Sequence, residues 1–196
     1  MDIVDLKTVQ YGEINEMIGF CNKRLDELYN NYIDNVHERT QYLKIKKQGN
    51  LALAILYLHD KGIKKKYIAH SKFNHKDSMH YISEVSDNFV PAHYFELLSR
   101  EQEYPTKVLD RRCNQNSKIW DRNVDTESKI IEQVQSEYPR DTKGKLFIWT
   151  KRYPCPSCKC VIEDFKQDFK YIEIVILFSE RDLSNPCESG EGCDNN

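Results

Sequence analysis

Residues 146–178 read "LFIWTKRYPCPSCKCVIEDFKQDFKYIEIVILF" and contain two apolar runs separated by a helical pattern. The first run, 146–149, has the residues of a buried strand. The second run, 171–178, is nearly all apolar, as is typical of a strand covered on both faces of a sheet. From Cys155 onward, apolar residues recur at the spacing of one helix face. The order strand, helix, strand predicts an α/β unit with a right-handed crossover.

Length and composition are those of one domain with an extension. The chain has 196 residues, of which 39% are hydrophobic, enough to bury a core. Nothing approaches the roughly 18 apolar residues of a membrane span, and residues 1–10 lack the character of a signal peptide. We therefore expect a soluble, cytoplasmic protein with no membrane partner. Seven unevenly spread cysteines favour metal binding or catalysis over a disulfide framework.

The net charge of -2 is unevenly distributed along the chain. Residues 41–76 contain many lysines and one acid, Asp60, whereas the charged residues after 180 are mainly acidic. A basic segment can bind phosphates electrostatically, but a merely solvated face has the same composition. Both interpretations stay open.

The pattern predicts three regions. Residues 1–62 are expected to form a helical N-terminal extension, because an amphipathic stripe runs from 13 to 36 and the apolar block 51–58 ends at a Gly62 stop signal. Residues 63–179 form the main domain, whose first strand is expected at 67–71 and which continues with loops around short elements at 73–119. Residues 180–196 are expected to be a disordered acidic tail.

Cys155 and Cys158 form a C-x-x-C motif that follows a strand and opens a helix. Pro154 fixes the chain before them, and the positive end of the helix favours thiolates. Two thiolates can hold zinc at about 2.3 Å but need further ligands. A zinc ribbon would need a second closely spaced pair, and Cys187 and Cys193 do not provide one. A redox dithiol also fits this position, although little chain remains after Cys158 for a thioredoxin sheet. These alternatives stay open.

A second motif lies upstream in "RNVDTESKIIEQV", residues 122–134. Taken alone, Asp125 and Glu127 could simply be an N-cap and a first-turn acid of a helix. Zinc-dependent nucleobase deaminases, however, combine H-x-E with a later P-C-x-x-C, and their Glu carries protons without binding the metal. Here Asp125 stands where those enzymes have His.

Residues 67–178 resemble the deaminase domains of the cytidine deaminase-like superfamily. The two quoted stretches are particularly similar to deaminase domains of bacterial polymorphic toxins. The resemblance implies an α/β protein, a three-layer α/β/α fold with a mixed sheet of about five strands. It also implies a Zn²⁺ cofactor held by Asp125, Cys155 and Cys158, with Glu127 as the catalytic acid and base. Asp125 adds a negative charge that His would not. The zinc ion should therefore be a weaker Lewis acid, and Glu127 should contribute more to activating the water.

Substrate contacts are expected from the loop after the first strand and from the residue before the metal loop. By position in the resemblance, the candidates are His70, Ser71, Asn74 and Tyr153. Each has an ordinary alternative as a loop residue.

Three functions are compatible with the sequence. The first is hydrolytic deamination of a base in single-stranded DNA or RNA, with cytosine favoured over adenine. It would suit a bacterial toxin or conflict effector delivered into a target cell, with an immunity or other protein as partner. The second is deamination of a free nucleoside or nucleotide. The third is a non-catalytic interaction module in which zinc only holds the helices together.

Overall fold

The computed structural model describes residues 1–60, 62–74, 78–85, 89–92, 103–104 and 125–181. The strands are β1 (Asp2–Asp5), β2 (Leu51–Leu58), β3 (Ile63–His70), β4 (Val90–Pro91), β5 (Gly144–Arg152) and β6 (Ile172–Glu180). The helices are α1 (Gly12–Asn31), α2 (Val36–Lys47), α3 (Met79–Val85), α4 (Thr126–Glu137) and α5 (Pro156–Asp168).

The six strands form one mixed sheet in the order β1-β6-β5-β2-β3-β4. β1 and β5 both run parallel to β6, and β4 runs parallel to β3. β2 is antiparallel to both of its neighbours, β3 and β5. Because β5 and β6 are parallel, their carboxyl ends and the start of α5 lie at the same edge of the sheet.

Helices cover both faces of the sheet, which gives three layers. On one face, α4 and α5 pack against alternate strand residues such as Leu56, Ile148 and Ile174. On the other face, α1, α2 and α3 pack against the intervening residues, for example Ile55 and Leu177. We call these layers the α4/α5 face and the α1–α3 face. The α/β class and three-layer architecture predicted from the sequence are confirmed.

The prediction of a helix at residues 51–58 was wrong. Leu51–Leu58 is β2, it lies between β3 and β5, and it is almost completely buried. A short continuous apolar run fits a buried strand and a buried helix equally well, so periodicity alone could not decide between them. Strands on both sides of residue 62 thus belong to one sheet. The domain boundary predicted at this residue stays a prediction.

Elsewhere the sequence patterns located the elements well. The helix predicted at 13–36 is α1, but α1 ends at Asn31, and Val36 begins α2, which was not predicted. The helices predicted after Asp125 and Cys155 are α4 and α5. β3 begins four residues earlier than predicted, because its first half is lysine-rich and partly exposed. The sheet has six strands where about five were expected. The four-residue β1 is too short for a recognisable pattern, yet it pairs along its whole length with β6.

Several predictions fall on parts of the chain outside the described residues. Residues 182–196, which include most of the predicted acidic tail, belong to this group, as do 93–102 and 105–124. Within the described part of 73–119, the short elements α3 and β4 agree with the expectation of short structures between loops. The described residues contain no helix long and apolar enough to cross a bilayer.

Candidate active site

Asp125 immediately precedes α4 and occupies its N-cap position, but its side chain makes no capping hydrogen bond. Instead, its Oδ2 lies 3.4 Å from Sγ of Cys155 and 3.5 Å from Sγ of Cys158. A plain N-cap would use this oxygen to accept from the helix's own amides. The carboxylate is therefore turned toward the cysteines, as the metal-ligand hypothesis requires.

The two cysteines are positioned by the first turn of α5. Cys155 is the N-cap and Pro156 follows as the first helical residue, where its fixed φ is favourable. The amide of Cys158 faces Sγ of Cys155 at 3.5 Å, and the two sulfurs are also 3.5 Å apart. Cys158 is buried, whereas Cys155 and Asp125 are only partly buried. The cluster is thus open to solvent on the side of these two residues.

The spacing of the three ligand atoms fits a zinc ion. Two thiolates on a tetrahedral zinc are about 3.8 Å apart, and a thiolate and a carboxylate oxygen are about 3.5 Å apart. In the structure, the corresponding atoms of Asp125, Cys155 and Cys158 all lie within 4.8 Å of one another. Among the described residues, these three side chains form the one group whose spacing suits a metal ion.

Glu127 is the second residue of α4, and its carboxylate lies at the edge of this cluster. It is 2% exposed, and its Oε2 is 3.6 Å from Sγ of Cys158. The Thr126 hydroxyl donates to the same oxygen at 2.8 Å. Burial, and next the negative charge of Asp125, raise the pKa of Glu127. A carboxyl group with a raised pKa can both take up and release a proton near neutral pH.

The cluster concentrates negative charge that a cation would neutralise. The interaction with Cys155, followed by burial, raises the pKa of Cys158 well above that of a free thiol. Nearby Glu127 and Asp125 push it in the same direction. Without a cation these groups oppose one another's ionisation, whereas a divalent metal stabilises all of the anionic forms. The donor set therefore suits zinc chemically as well as geometrically.

Asn50 is a site residue that sequence reasoning missed. Its Nδ2 donates to the hydroxyls of Thr126 at 2.9 Å and Thr150 at 2.7 Å. Its Oδ1 accepts from the amide of Arg152, and its own amide donates to Ser71 Oγ. Asn50 thus connects the start of β2 to the ends of β3 and β5 and to the start of α4. From the sequence, the Gly-Asn pair indicated only a turn.

The conformation of Gly49 brings Asn50 into this position. Gly49 has φ of +72°, and a Cβ there would lie 2.7 Å from Ser71 Oγ. Both the left-handed backbone and the close approach exclude a side chain. The Gly-Asn pair is therefore a turn whose second residue contacts the start of α4.

Lys129, one turn beyond Asp125, is completely buried. Its ammonium donates to the carbonyls of His70 at 2.8 Å and Phe73 at 3.1 Å, and also to Asn74 Oδ1. Burial lowers the pKa of Lys129 to about 7. Lys129 therefore connects the loop after β3 to α4.

The structure separates the predicted substrate residues. The His70 side chain is buried on the α1–α3 face, where it packs edge-on against Phe73, and burial lowers its pKa to about 3. It therefore lies across the sheet from the metal cluster, and only its backbone carbonyl reaches Lys129. Ser71 and Asn74 are partly buried in the loop, with Ser71 bonded to Asn50 and Asn74 to Lys129. Substrate binding by these three residues stays a prediction.

Tyr153 lies two residues before Cys155 and packs against Phe178, with ring centroids 4.9 Å apart. It is partly buried at the accessible side of the cluster, so its predicted binding role also stays a prediction. Trp149 belongs to the core of the α1–α3 face, and its indole donates to Ser179.

Comparison with known proteins identifies the family. Residues 37–180, well over half of the chain, match Toxin-deaminase, described as the BURPS668_1122 family of deaminases. A comparison with curated proteins finds no match. The matched segment includes Asp125, Glu127, Cys155 and Cys158. This chain therefore belongs to the Toxin-deaminase family, deaminases of the cytidine deaminase-like type that occur in polymorphic toxins.

Proposed function

We propose that this protein is a zinc-dependent deaminase that converts cytosine to uracil in single-stranded nucleic acid and acts as a toxin. One observation carries the proposal. A carboxylate oxygen of Asp125 lies within 3.5 Å of both cysteine sulfurs, and the buried carboxylate of Glu127 lies 3.6 Å from the sulfur of Cys158. Three ligands with an adjacent proton carrier are what hydrolytic deamination needs.

Asp125, Cys155 and Cys158 would hold the zinc ion. When bound, zinc acts as a Lewis acid that makes a water molecule nucleophilic near neutral pH. Catalytic zinc sites typically have three protein ligands and keep one position open, whereas structural sites are closed by four. Among the described residues the group has three members, which favours catalysis over the zinc-stapled module.

Glu127 would carry the protons of the reaction. Its carboxylate accepts a proton from the attacking water and delivers it to the ring nitrogen of the base. Glu127 would then take the remaining proton from the oxygen that the water has added to the ring carbon and give it to the amino group, which leaves as ammonia as the carbonyl forms. Burial favours this alternation, because it raises the pKa of the carboxyl group toward the working pH. The Thr126 hydroxyl holds one oxygen of Glu127 in place during these transfers.

The choice of substrate rests on less direct support. The toxin family favours an attack on nucleic acid, and cytosine is preferred on the resemblance to cytidine deaminases. The lysine-rich segment supports this choice less than its composition suggests. Four of its lysines lie close to carboxylates of the same chain: Lys46, Lys64, Lys65 and Lys66. Free nucleotides therefore remain the second candidate substrate.

The decisive experiment compares wild type with Glu127→Gln. Both proteins are assayed for zinc content and for ammonia release from single-stranded DNA, RNA, cytidine and adenosine. We expect one zinc per chain in both proteins and a rate at least about 100-fold lower for Glu127→Gln. Glu137→Gln, at the other end of α4, is the matched control and should keep its activity. Full activity of Glu127→Gln, or a wild type that binds no zinc, would refute the proposal.

A further inference from the structure

Two cations lie against the ring of Tyr153. The Lys159 ammonium is 4.6 Å from the ring centroid, and the Arg181 guanidinium carbon is 4.3 Å from it. Both distances are within the range of cation–π attraction, so the ring holds both charges in one neighbourhood. These three residues are called the Tyr153 cation cluster below.

The cluster lies at the lip of the candidate active site. The Tyr153 amide donates to the carbonyl of Glu180, which brings the end of β6 and Arg181 beside the end of β5. The Lys159 amide donates to the carbonyl of Cys155 at 3.0 Å. Ligands of α/β sheets bind outside the carboxyl ends of parallel strands, and β5 and β6 end here. Cys155 is also one of the partly exposed metal ligands, so substrate would approach from this side.

Lys159 differs from the other lysines that lie over aromatic rings. In the described part of the chain these are Lys64, Lys65, Lys66 and Lys145. Each of the four also lies within ion-pair distance of a carboxylate of this chain. Lys159 is 6% exposed, and no carboxylate of the described residues lies within that distance of its ammonium. Burying a cation is costly unless it is paired, so an anionic ligand would stabilise a lysine that has no carboxylate partner among the described residues.

We propose that the Tyr153 cation cluster binds a phosphate of the substrate nucleotide while its base enters the metal site. The inference rests on the proposed function and adds a subsite to it. Lys159 and Arg181 supply the two positive charges, and Tyr153 keeps them together at the lip. The ligand chemistry is a nucleotide phosphate, which either a nucleic-acid strand or a free nucleotide can provide.

The test measures binding separately from turnover. Zinc-loaded Glu127→Gln protein is titrated with a fluorescein-labelled 12-nucleotide DNA strand, with the corresponding RNA, and with CMP and cytidine. The same titrations are made with Lys159→Gln or Arg181→Gln added. Each substitution should weaken strand binding about tenfold. Each should also reduce the slope of log K against log salt concentration by about 0.7, the value for one lost phosphate contact on a single strand.

Controls separate a lost contact from a damaged fold. Lys159→Arg keeps the charge and should retain most of the affinity. Lys145→Gln removes a lysine that also lies over a ring, at the opposite end of β5, and should leave affinity and salt slope unchanged. If Lys159→Gln and Arg181→Gln weaken the binding of CMP but not that of the strands or of cytidine, the bound phosphate is that of a free nucleotide. An unchanged salt slope together with equal affinities for CMP and cytidine overturns the inference.

The two proposals can fail independently. Base conversion by wild type with unaltered nucleotide binding in Lys159→Gln would remove the phosphate subsite and leave the deaminase. Nucleotide binding that depends on Lys159 and Arg181, without base conversion by wild type, would refute the deaminase and leave the phosphate subsite.

Discussion

Helices cover both faces of the sheet, but the two faces differ in what they bury. Nine polar or charged side chains are buried in the described part of the chain, and eight of them belong to α4, α5 or β5. The ninth, His70, is on the α1–α3 face, whose other buried side chains are aliphatic, aromatic or sulfur-containing. Burying polar groups costs free energy unless they are paired. The concentration of this cost in the α4/α5 face is what the proposed catalytic site would require, whereas the α1–α3 face serves mainly packing.

The largest expected effect contrasts two buried thiols, one on each face. Cys158→Ser should abolish zinc binding and reduce deamination to background, because a hydroxyl is a poor zinc ligand. Zinc content, measured by atomic absorption, and ammonia release check this prediction.

Cys21→Ser is the matched control on the α1–α3 face. Cys21 is fully buried on α1, and burial raises its pKa to about 12, so it remains a neutral thiol. The variant should keep zinc and activity but lose about 1–3 kcal/mol of stability to a poorly accommodated hydroxyl. Loss of zinc from Cys21→Ser would contradict the division between the faces.

The next effect contrasts two buried bases, Lys129 and His70. The pKa of Lys129 is lowered from 10.5 to about 7 in the folded protein. Between these values the unfolded chain holds the proton and the folded chain has released it, so the free energy of unfolding rises with pH. Above pH 7, the free energy of unfolding of wild type should therefore rise by about 1.4 kcal/mol per pH unit relative to that of Lys129→Met. Urea unfolding at pH 7, 8 and 9 measures it.

His70→Met provides the comparison for this pH series. The pKa of His70 is about 3 in the folded chain and ordinarily 6.5, so the imidazole is neutral in both states above pH 7. Its stability difference from wild type should therefore stay constant from pH 7 to 9. A constant difference for Lys129→Met as well would show that the buried amine keeps its proton.

The smallest effect concerns the hydroxyl beside Glu127. Thr126→Val removes the donor to Oε2 of Glu127 while keeping the side-chain volume. We expect kcat to fall about tenfold with KM and zinc content unchanged, since a hydrogen bond to a charged group contributes about 1.5–3 kcal/mol. Thr126→Ser keeps the hydroxyl and should restore the rate. Equal losses in both variants would point to altered packing.

The sequence located the chemical groups better than it located their surroundings. The D-x-E and P-C-x-x-C motifs lie on local turns that their own residues specify, so Asp125, Glu127, Cys155 and Cys158 could be named without coordinates. Asn50 carries no such signal, because its partners lie on β3, β5 and α4, far away along the chain. Nor could the side of the sheet that His70 faces be predicted, because the register of β3 decides it.

The N-terminal part shows a similar limit. The helical stripe of α1 was readable because its buried face repeats every three to four residues. The role of β2 was not readable, because an eight-residue apolar run shows no period of its own. Residues 1–36 lie before the family match, yet β1 extends the shared sheet and α1 covers it.

The sequence by itself predicted the α/β class, the helices α1, α4 and α5, the strands β3, β5 and β6, and four candidate residues for metal and proton chemistry. These features depend on side-chain periodicity and on short spacings, both of which are local. Only the tertiary structure decided that Asp125 faces the two sulfurs, that Asn50 connects the site, and that His70 lies across the sheet. Such relations depend on strand order and register, which arise from contacts between residues far apart in the chain.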